Sequence, residues 1–208
     1  MKTSINFKAA KSDSEIHNFR KKSFDYIRKD LTHKNEYWME QKIADRLLKI
    51  EAFCKEKSGR KLQKNAMPVR EAVVVIKENT TMQDLHNLSN KLEVELKIQI
   101  FQIAIHKDEG HYDKDTKEWK PNYHAHLVAD WQDLETGKTL KHQSFHYSKM
   151  QDLAAECLEM ERGISGSLAR LEAVEFKIKK KEEDLKILEE RYSQMQQEME
   201  SKRSEELI

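Results

Sequence analysis

A chain of 208 residues holds one domain with a sizeable core plus an appendage, and is short for two independent domains. Charged residues are 36% and apolar residues 38% of it. That balance, with Val, Ile, Leu and Phe gathered in local runs, excludes a wholly disordered chain, and no apolar run approaches the roughly 18 residues that would span a bilayer. The net charge of +1 hides a split: residues 1–150 carry 28 Lys and Arg against 22 Asp and Glu, whereas residues 151–208 carry 10 against 15. The basic body suits a polyanion such as nucleic acid, although many soluble domains carry as much.

Taken in chain order, residues 4–8 read as a short strand, followed by a polar turn at 11–15 and a charged, aromatic-studded stretch, 17–38, without a clear period. Apolar residues Ile43, Leu47, Leu48, Ile50 and Phe53 recur at helical spacing and predict a helix over 40–57, stopped at Ser58-Gly59. The run EAVVVIK, 71–77, suits a buried strand, and Thr80 or Thr81 caps a helix through Leu96 with Leu85, Leu88, Leu92 and Leu96 on one face. KIQIFQIAIH (97–106) and YHAHLVADW (123–131) predict two neighbouring strands joined by a long polar loop. A short strand near Leu140 and a helix over 147–162, ending at Gly163, complete the body. Strands that mostly neighbour one another, mixed with helices, predict an α+β fold with a central antiparallel sheet. From Ser167 the apolar positions Leu168, Leu171, Val174, Ile178, Leu185, Leu188, Tyr192 and Met195 fall at spacings of three, four and seven, which predicts a coiled-coil-like helix. The pattern still runs at Ile208, so the chain is expected to be part of a longer protein. The expected division is a domain over 1–165 and a charged helix over 166–208.

Cys54 and Cys157 lie far apart, with no CxxC pair and no secretory leader, so reduced thiols and a cytoplasmic location without a membrane anchor are expected. The chemistry lies in the histidines. Along a strand side chains alternate, so His124 and His126 in HAH project to one side about 7 Å apart. If the 97–106 strand pairs beside them, His106 supplies a third nitrogen, a three-imidazole face with open positions. Asp108 and Glu109 follow directly, placed to fix imidazole tautomers and to move protons. An HxH pair by itself is more often an accident of a strand than a metal site. His86, His111, His142 and His146 read as ordinary polar residues.

The run His106-Lys107-Asp108-Glu109, followed by Pro121-Asn122-Tyr123-His124-Ala125-His126, resembles the HxDE…PxHxH signature of the MobV (Mob/Pre) family of HUH relaxases. His17-Asn18-Phe19-Arg20 resembles its first motif, HNxR; residues 30–37 (DLTHKNEY) resemble the stretch that follows; and 158–163 (LEMERG) is similar to its LxxERG ending. The resemblance covers about residues 1–165 in colinear order. It implies the HUH fold, an antiparallel sheet with flanking helices, and a transesterification that nicks one DNA strand at an origin of transfer, leaving a 5′-phosphate on the protein and releasing a 3′-hydroxyl. It implies one divalent cation held by His106, His124 and His126, Mn²⁺ first, with Mg²⁺, Zn²⁺, Ni²⁺ or Co²⁺ as alternatives. It maps the nucleophile onto His17, with Glu109 orienting or deprotonating it; Tyr26 and Tyr37 are the alternative nucleophiles. Neutral imidazole is a competent nucleophile near pH 7, whereas a phenol of pKa about 10 needs activation.

Arg20, Lys21, Lys22, Arg28 and Lys29, interleaved with Phe19, Phe24 and Tyr26, are the expected DNA-gripping segment, joined by His33, Asn35 and Tyr37. The expected partners are single-stranded DNA or an origin hairpin, a coupling protein, and a second copy through the C-terminal helix. One departure stands out: a few residues usually separate the DE pair from HxH, but here residues 110–123 intervene, read as a lengthened hairpin loop that preserves the strand register. A rolling-circle replication initiator and a non-catalytic DNA-binding accessory protein are the competing readings.

Overall fold

A computed structural model of the chain describes residues 1–24, 26–113, 115–163, 178, 181, 182, 184–197 and 199. In chain order the elements are β1 (Lys2–Thr3), β2 (Ile5–Ala9), α1 (Ser14–Asn18), a 3-10 turn (Lys29–Lys34), β3 (Glu36–Met39), α2 (Ile43–Ser58), β4 (Val69–Val75) and α3 (Met82–Leu96). They continue with β5 (Gln99–His106), β6 (Gly110–Tyr112), β7 (Trp119–Pro121), β8 (His124–Asp130), α4 (Ser144–Cys157) and β9 (Glu161–Arg162).

The central sheet has the order β2-β4-β8-β5-β3, with every pair antiparallel. β8 lies at its middle and all seven of its residues are buried, which is why its sequence shows little alternation. On one face Ile5, Phe7, Ala72, Val74, Ile103, Ile105, Ala125 and Leu127 pack against Leu85, Leu88, Leu92 and Leu96 of α3 and Met150, Leu153 and Ala154 of α4. Each large side chain buried there contributes about 1.5–3 kcal/mol, so this layer is the main source of stability. The opposite face is divided. At one end Phe101 and Val128 meet Ile50 of α2 and Val69. At the other, the same strands present Glu71, His106, His124 and His126 to α1.

Local chemistry sets the helix ends. Thr81 and Asp84 form a reciprocal capping box at the start of α3, and α2 stops where Gly59 takes φ 67, a left-handed turn that suits glycine. The predicted helix over 147–162 instead ends at Cys157. Glu159 turns with φ 50, after which Glu161 and Arg162 pair in parallel with Lys2 and Thr3, so an edge strand satisfies backbone groups that further helix would have satisfied. The strand expected near Leu140 is a single bridge, Gln132 to Thr139. The aperiodic stretch 17–38 breaks into pieces of four to six residues, too short to establish a period. Within the 110–123 insertion β6 and β7 pair antiparallel, and His106 still faces His124 across the β5–β8 pair.

The chain divides into two compact units, Met1–Gly163 and Ile164–Ile208. The described residues of the second are helical, with Leu185, Leu188, Tyr192 and Met195 exposed; Leu168, Leu171 and Val174 of the predicted stripe lie outside the described residues. Among the described residues no helix is long and apolar enough to cross a membrane.

Candidate active site

Pairing of β5 with β8 sets His106 opposite His124, and the two-residue repeat of β8 sets His126 on the same face. The ring centroids lie 5.0 Å apart for 106–124, 4.8 Å for 106–126 and 5.1 Å for 124–126, and all three rings are buried. Their outer nitrogens are all spoken for by acceptors. His106 Nε2 donates to the Asn18 carbonyl (2.9 Å), His124 Nδ1 to the Asn122 carbonyl (2.8 Å) and His126 Nδ1 to the Glu71 carboxylate (2.6 Å). A carbonyl or carboxylate can only accept, so in each neutral ring the remaining nitrogen is a lone pair. Two of these, His106 Nδ1 and His124 Nε2, face each other at 3.2 Å, and the third, His126 Nε2, is buried without a hydrogen-bond partner. Opposed lone pairs in a buried site repel unless a cation sits among them, so the donor set fits a metal ion. Burial pushes His106 and His124 below the ordinary histidine value, which favours their neutral rings at neutral pH.

His17, on α1, is the fourth member. Its ring centroid lies 5.1 Å from that of His106 and 5.0 Å from that of His126, and one nitrogen from each of the four histidines falls within 4.8 Å of the others. Its Nε2 faces Glu109 Oε1 at 3.4 Å and its Nδ1 faces the Tyr26 hydroxyl at 3.2 Å. Burial lowers His17 to about 4, so it is neutral at pH 7. With a proton on Nε2 toward the carboxylate, the Nδ1 lone pair points to Tyr26.

Glu71 ties this assembly together, and the sequence reading did not single it out. Besides His126 it accepts from Asn18 Nδ2 (2.9 Å) and from the Ser14 hydroxyl, so β4 holds both ends of α1 and one imidazole through one carboxylate. Burial works to raise its carboxyl, but the hydrogen bonds from His126, Ser14 and Asn18 outweigh it and hold Glu71 at about 2. The signal was there: a lone acid in the buried run EAVVVIK requires a partner.

Asp108 and Arg20 serve different ends from those expected. Asp108 touches no imidazole among the described contacts; it accepts from Arg20 (2.6 and 3.2 Å), Thr32 (3.0 Å) and Asn35 (2.7 Å). Arg20 also reaches Glu109 (2.7 Å) and the His17 carbonyl (3.0 Å), and its side chain is only 8% exposed. It is therefore a buried counterion to the 108–109 turn rather than a free grip on DNA. Asn35 is engaged likewise, its Oδ1 accepting from the Lys107 amide at 2.7 Å. Glu109 lies 3.4–3.8 Å from His17, His106 and His124. The Tyr37 hydroxyl accepts from Asn35 at 3.2 Å, with its ring centroid 6.5 Å from His106. Lys21 pairs with Glu15, Arg28 pairs with Asp30, and Lys22, Lys29 and His33 are exposed.

A cleft of about 570 Å³ opens over this floor, with His17, Glu71 and His126 among its lining. Its walls carry Lys8, Lys11 and Lys22, with Phe24 and Tyr26 stacked at 5.5 Å. Lys8 and Lys11 had no signal in the sequence, because their proximity depends on how α1 folds back over β4.

No family model and no curated protein matches the sequence. Among solved structures the fold is similar to the MobM relaxase domain (MOBV; Mob_Pre) bound to a 22-nucleotide plasmid pMV158 oriT DNA in a Mn-bound crystal structure at pH 5.5, with TM-score 0.59 and 16% identity over 81% of this chain and 93% of that one. The same domain bound to the 22-nucleotide DNA with a 3′-thiophosphate, Mn-bound at pH 6.8, gives TM-score 0.58 and 15% identity over the same shares. The likeness is one of fold: this chain has the relaxase architecture of a five-stranded antiparallel sheet flanked by helices.

Proposed function

We propose that this chain is a metal-dependent relaxase of the MobV kind, which nicks one strand of DNA at an origin of transfer by transesterification and keeps the 5′-phosphate end covalently on His17. The observation that carries the reading is the convergence of three buried imidazole lone pairs beside a fourth, neutral, partly exposed imidazole at the floor of a cleft with lysine walls.

His106 Nδ1 and Nε2 of His124 and His126 are the atoms that would hold a divalent cation, with Glu71 and the carbonyls of Asn18 and Asn122 fixing their tautomers. Bound there, the cation would draw charge off the non-bridging oxygens of a phosphate, and Mn²⁺ is favoured because the relatives of similar fold are Mn-bound. His17 supplies the nucleophile. Its Nδ1 lone pair forms a bond to phosphorus as the bond from phosphorus to the 3′-oxygen breaks. The Nε2 proton passes to Glu109, and the same proton is returned, through water, to the departing 3′-oxygen, so the products are a phosphoramidate and a 3′-hydroxyl. Arg20 keeps Glu109 in place for this transfer. Phe24 and Tyr26 offer ring faces to unpaired bases, and Lys8, Lys11 and Lys22 offer charge to backbone phosphates.

A second reading has its own observation: the Tyr26 hydroxyl lies 3.2 Å from His17 Nδ1, the geometry of a tyrosine nucleophile with histidine as its base. Burial and the nearby Glu109 raise the Tyr26 phenol, which disfavours it. Incubation with Mn²⁺ and an origin-bearing supercoiled plasmid, followed by denaturing electrophoresis, tests both. The expected result is a nicked plasmid with a covalent adduct that survives in Tyr26→Phe and is lost in His17→Ala. An adduct that persists in His17→Ala overturns His17, and no nicking on any origin favours a non-catalytic DNA-binding protein. Further proposals are a cytoplasmic location, a coupling-protein partner and pairing through the C-terminal helix.

A further inference from the structure

The β6–β7 hairpin is the part of the domain that the histidine chemistry does not use. It leaves the sheet one residue after Glu109 and returns one residue before Asn122, and its base is closed by the Asn122 amide donating to the Glu109 carbonyl at 2.8 Å. Both ends are therefore anchored to groups that touch the imidazoles. The segment that carries Tyr26 lies along the same base: Ile27 bridges to Glu109, and the Arg28 amide donates to the Asp108 carbonyl at 2.8 Å. Tyr26 lies in the turn closed by the Ile27 amide donating to the Phe24 carbonyl at 3.2 Å, and Arg28 follows the bridge. Tyr26 meets His17, while Arg28 places its guanidinium 5.3 Å from the Trp119 ring centroid and 3.4 Å from the Tyr112 hydroxyl.

Tyr112 and Trp119 pack edge to face at 5.1 Å, and Tyr112 remains 57% exposed. Gly110 makes this possible. A Cβ there would come within 2.6 Å of the Trp119 ring and closer still to the Lys120 carbonyl, so glycine lets the indole lie against the hairpin backbone. The result is a braced aromatic surface, covered by nothing among the described residues, that begins one residue from the proposed reaction centre. Exposed rings held by a cation and a second ring are the chemistry that receives a nucleobase, because every base has a π-face.

We propose that the β6–β7 hairpin is a base-stacking arm: Tyr112, backed by Trp119 and Arg28, receives an unpaired base of the DNA strand whose phosphate lies at the histidine cluster. The assignment rests on the relaxase reading and adds to it a determinant of where the strand is held. The test is binding of fluorescently labelled single-stranded origin oligonucleotides to the full chain, with an abasic site moved through the nucleotides flanking the nick. Tyr112→Ala weakens binding roughly five-fold or more, Tyr112→Phe binds as wild type, and one abasic position weakens wild type but not Tyr112→Ala. Unchanged thermal unfolding and Mn²⁺ binding in Tyr112→Ala confirm that the fold and histidine cluster are intact. Wild-type affinity in Tyr112→Ala, or equal abasic penalties in both proteins at every position, overturns the arm while leaving the relaxase reading in place. Failure of wild type itself to bind single-stranded DNA overturns both.

Discussion

Replacing Arg20 with Ala separates a structural ion pair from a DNA contact. The guanidinium donates to both oxygens of Asp108 and to Glu109, with side-chain exposures of 8% for Arg20 and 0% for Asp108. Breaking a buried pair from one side leaves an uncompensated charge and typically costs about 3–5 kcal/mol, against about 0.2–1 kcal/mol for an exposed pair. Thr32 and Asn35 still donate to Asp108 and soften the loss, so the lower end, about 3 kcal/mol, is expected. With a urea slope of about 2 kcal/mol per molar, the unfolding midpoint falls by roughly 1.5 M. Equilibrium urea titration followed by tryptophan fluorescence, with EDTA present to exclude metal linkage, reads this directly. Adding Asp108→Asn removes the stranded charge and recovers part of the loss, a non-additivity that belongs to contacting residues. Arg28→Ala, whose ion pair with Asp30 is exposed, leaves the midpoint nearly unchanged. A shift of less than roughly 0.5 M in Arg20→Ala would refute the buried-counterion role and return Arg20 to the DNA-contacting set.

Glu71→Gln preserves shape but weakens the carboxylate that orients His126, so the fold survives while affinity for Mn²⁺ falls about 10- to 100-fold; calorimetric titration of both proteins checks it, and unchanged affinity sinks the orienting role. His142 is a pH probe away from the cluster. Its Nδ1 accepts from the Trp131 indole and its Nε2 donates to the Leu96 carbonyl, each at 2.8 Å, an arrangement that requires the neutral ring. Burial lowers it below its ordinary value of 6.5, although the Leu96 carbonyl opposes this and His146 and Arg70 assist. A proton thus binds the unfolded chain more readily, so this contribution to stability is whole above about pH 6.5 and shrinks as pH falls. His142→Gln, which can make both bonds without titrating, shows a shallower acid-side loss of thermal stability; an identical pH profile would contradict the argument.

The local pattern of the chain was enough to place its principal secondary structure and to put His124 and His126 on one face, while His106 joins them through the pairing of β5 with β8. Period-two alternation in HAH and the apolar run ending at His106 determine where side chains point relative to their own strand, and the leucine repeat from 85 to 96 determines which side of α3 is buried, because these depend on backbone geometry over a few residues. The early end of α4, by contrast, follows from an edge offered by Lys2 and Thr3, some 160 residues away in the chain. The same holds for Glu71, which orients His126 only because β4 lies against β8, and for Arg20, whose charge points inward only because the 108–109 turn packs beneath it. Which partner neutralises a buried charge or fixes a tautomer is settled by contacts between segments distant in sequence, and those distances have no signature in local composition or spacing.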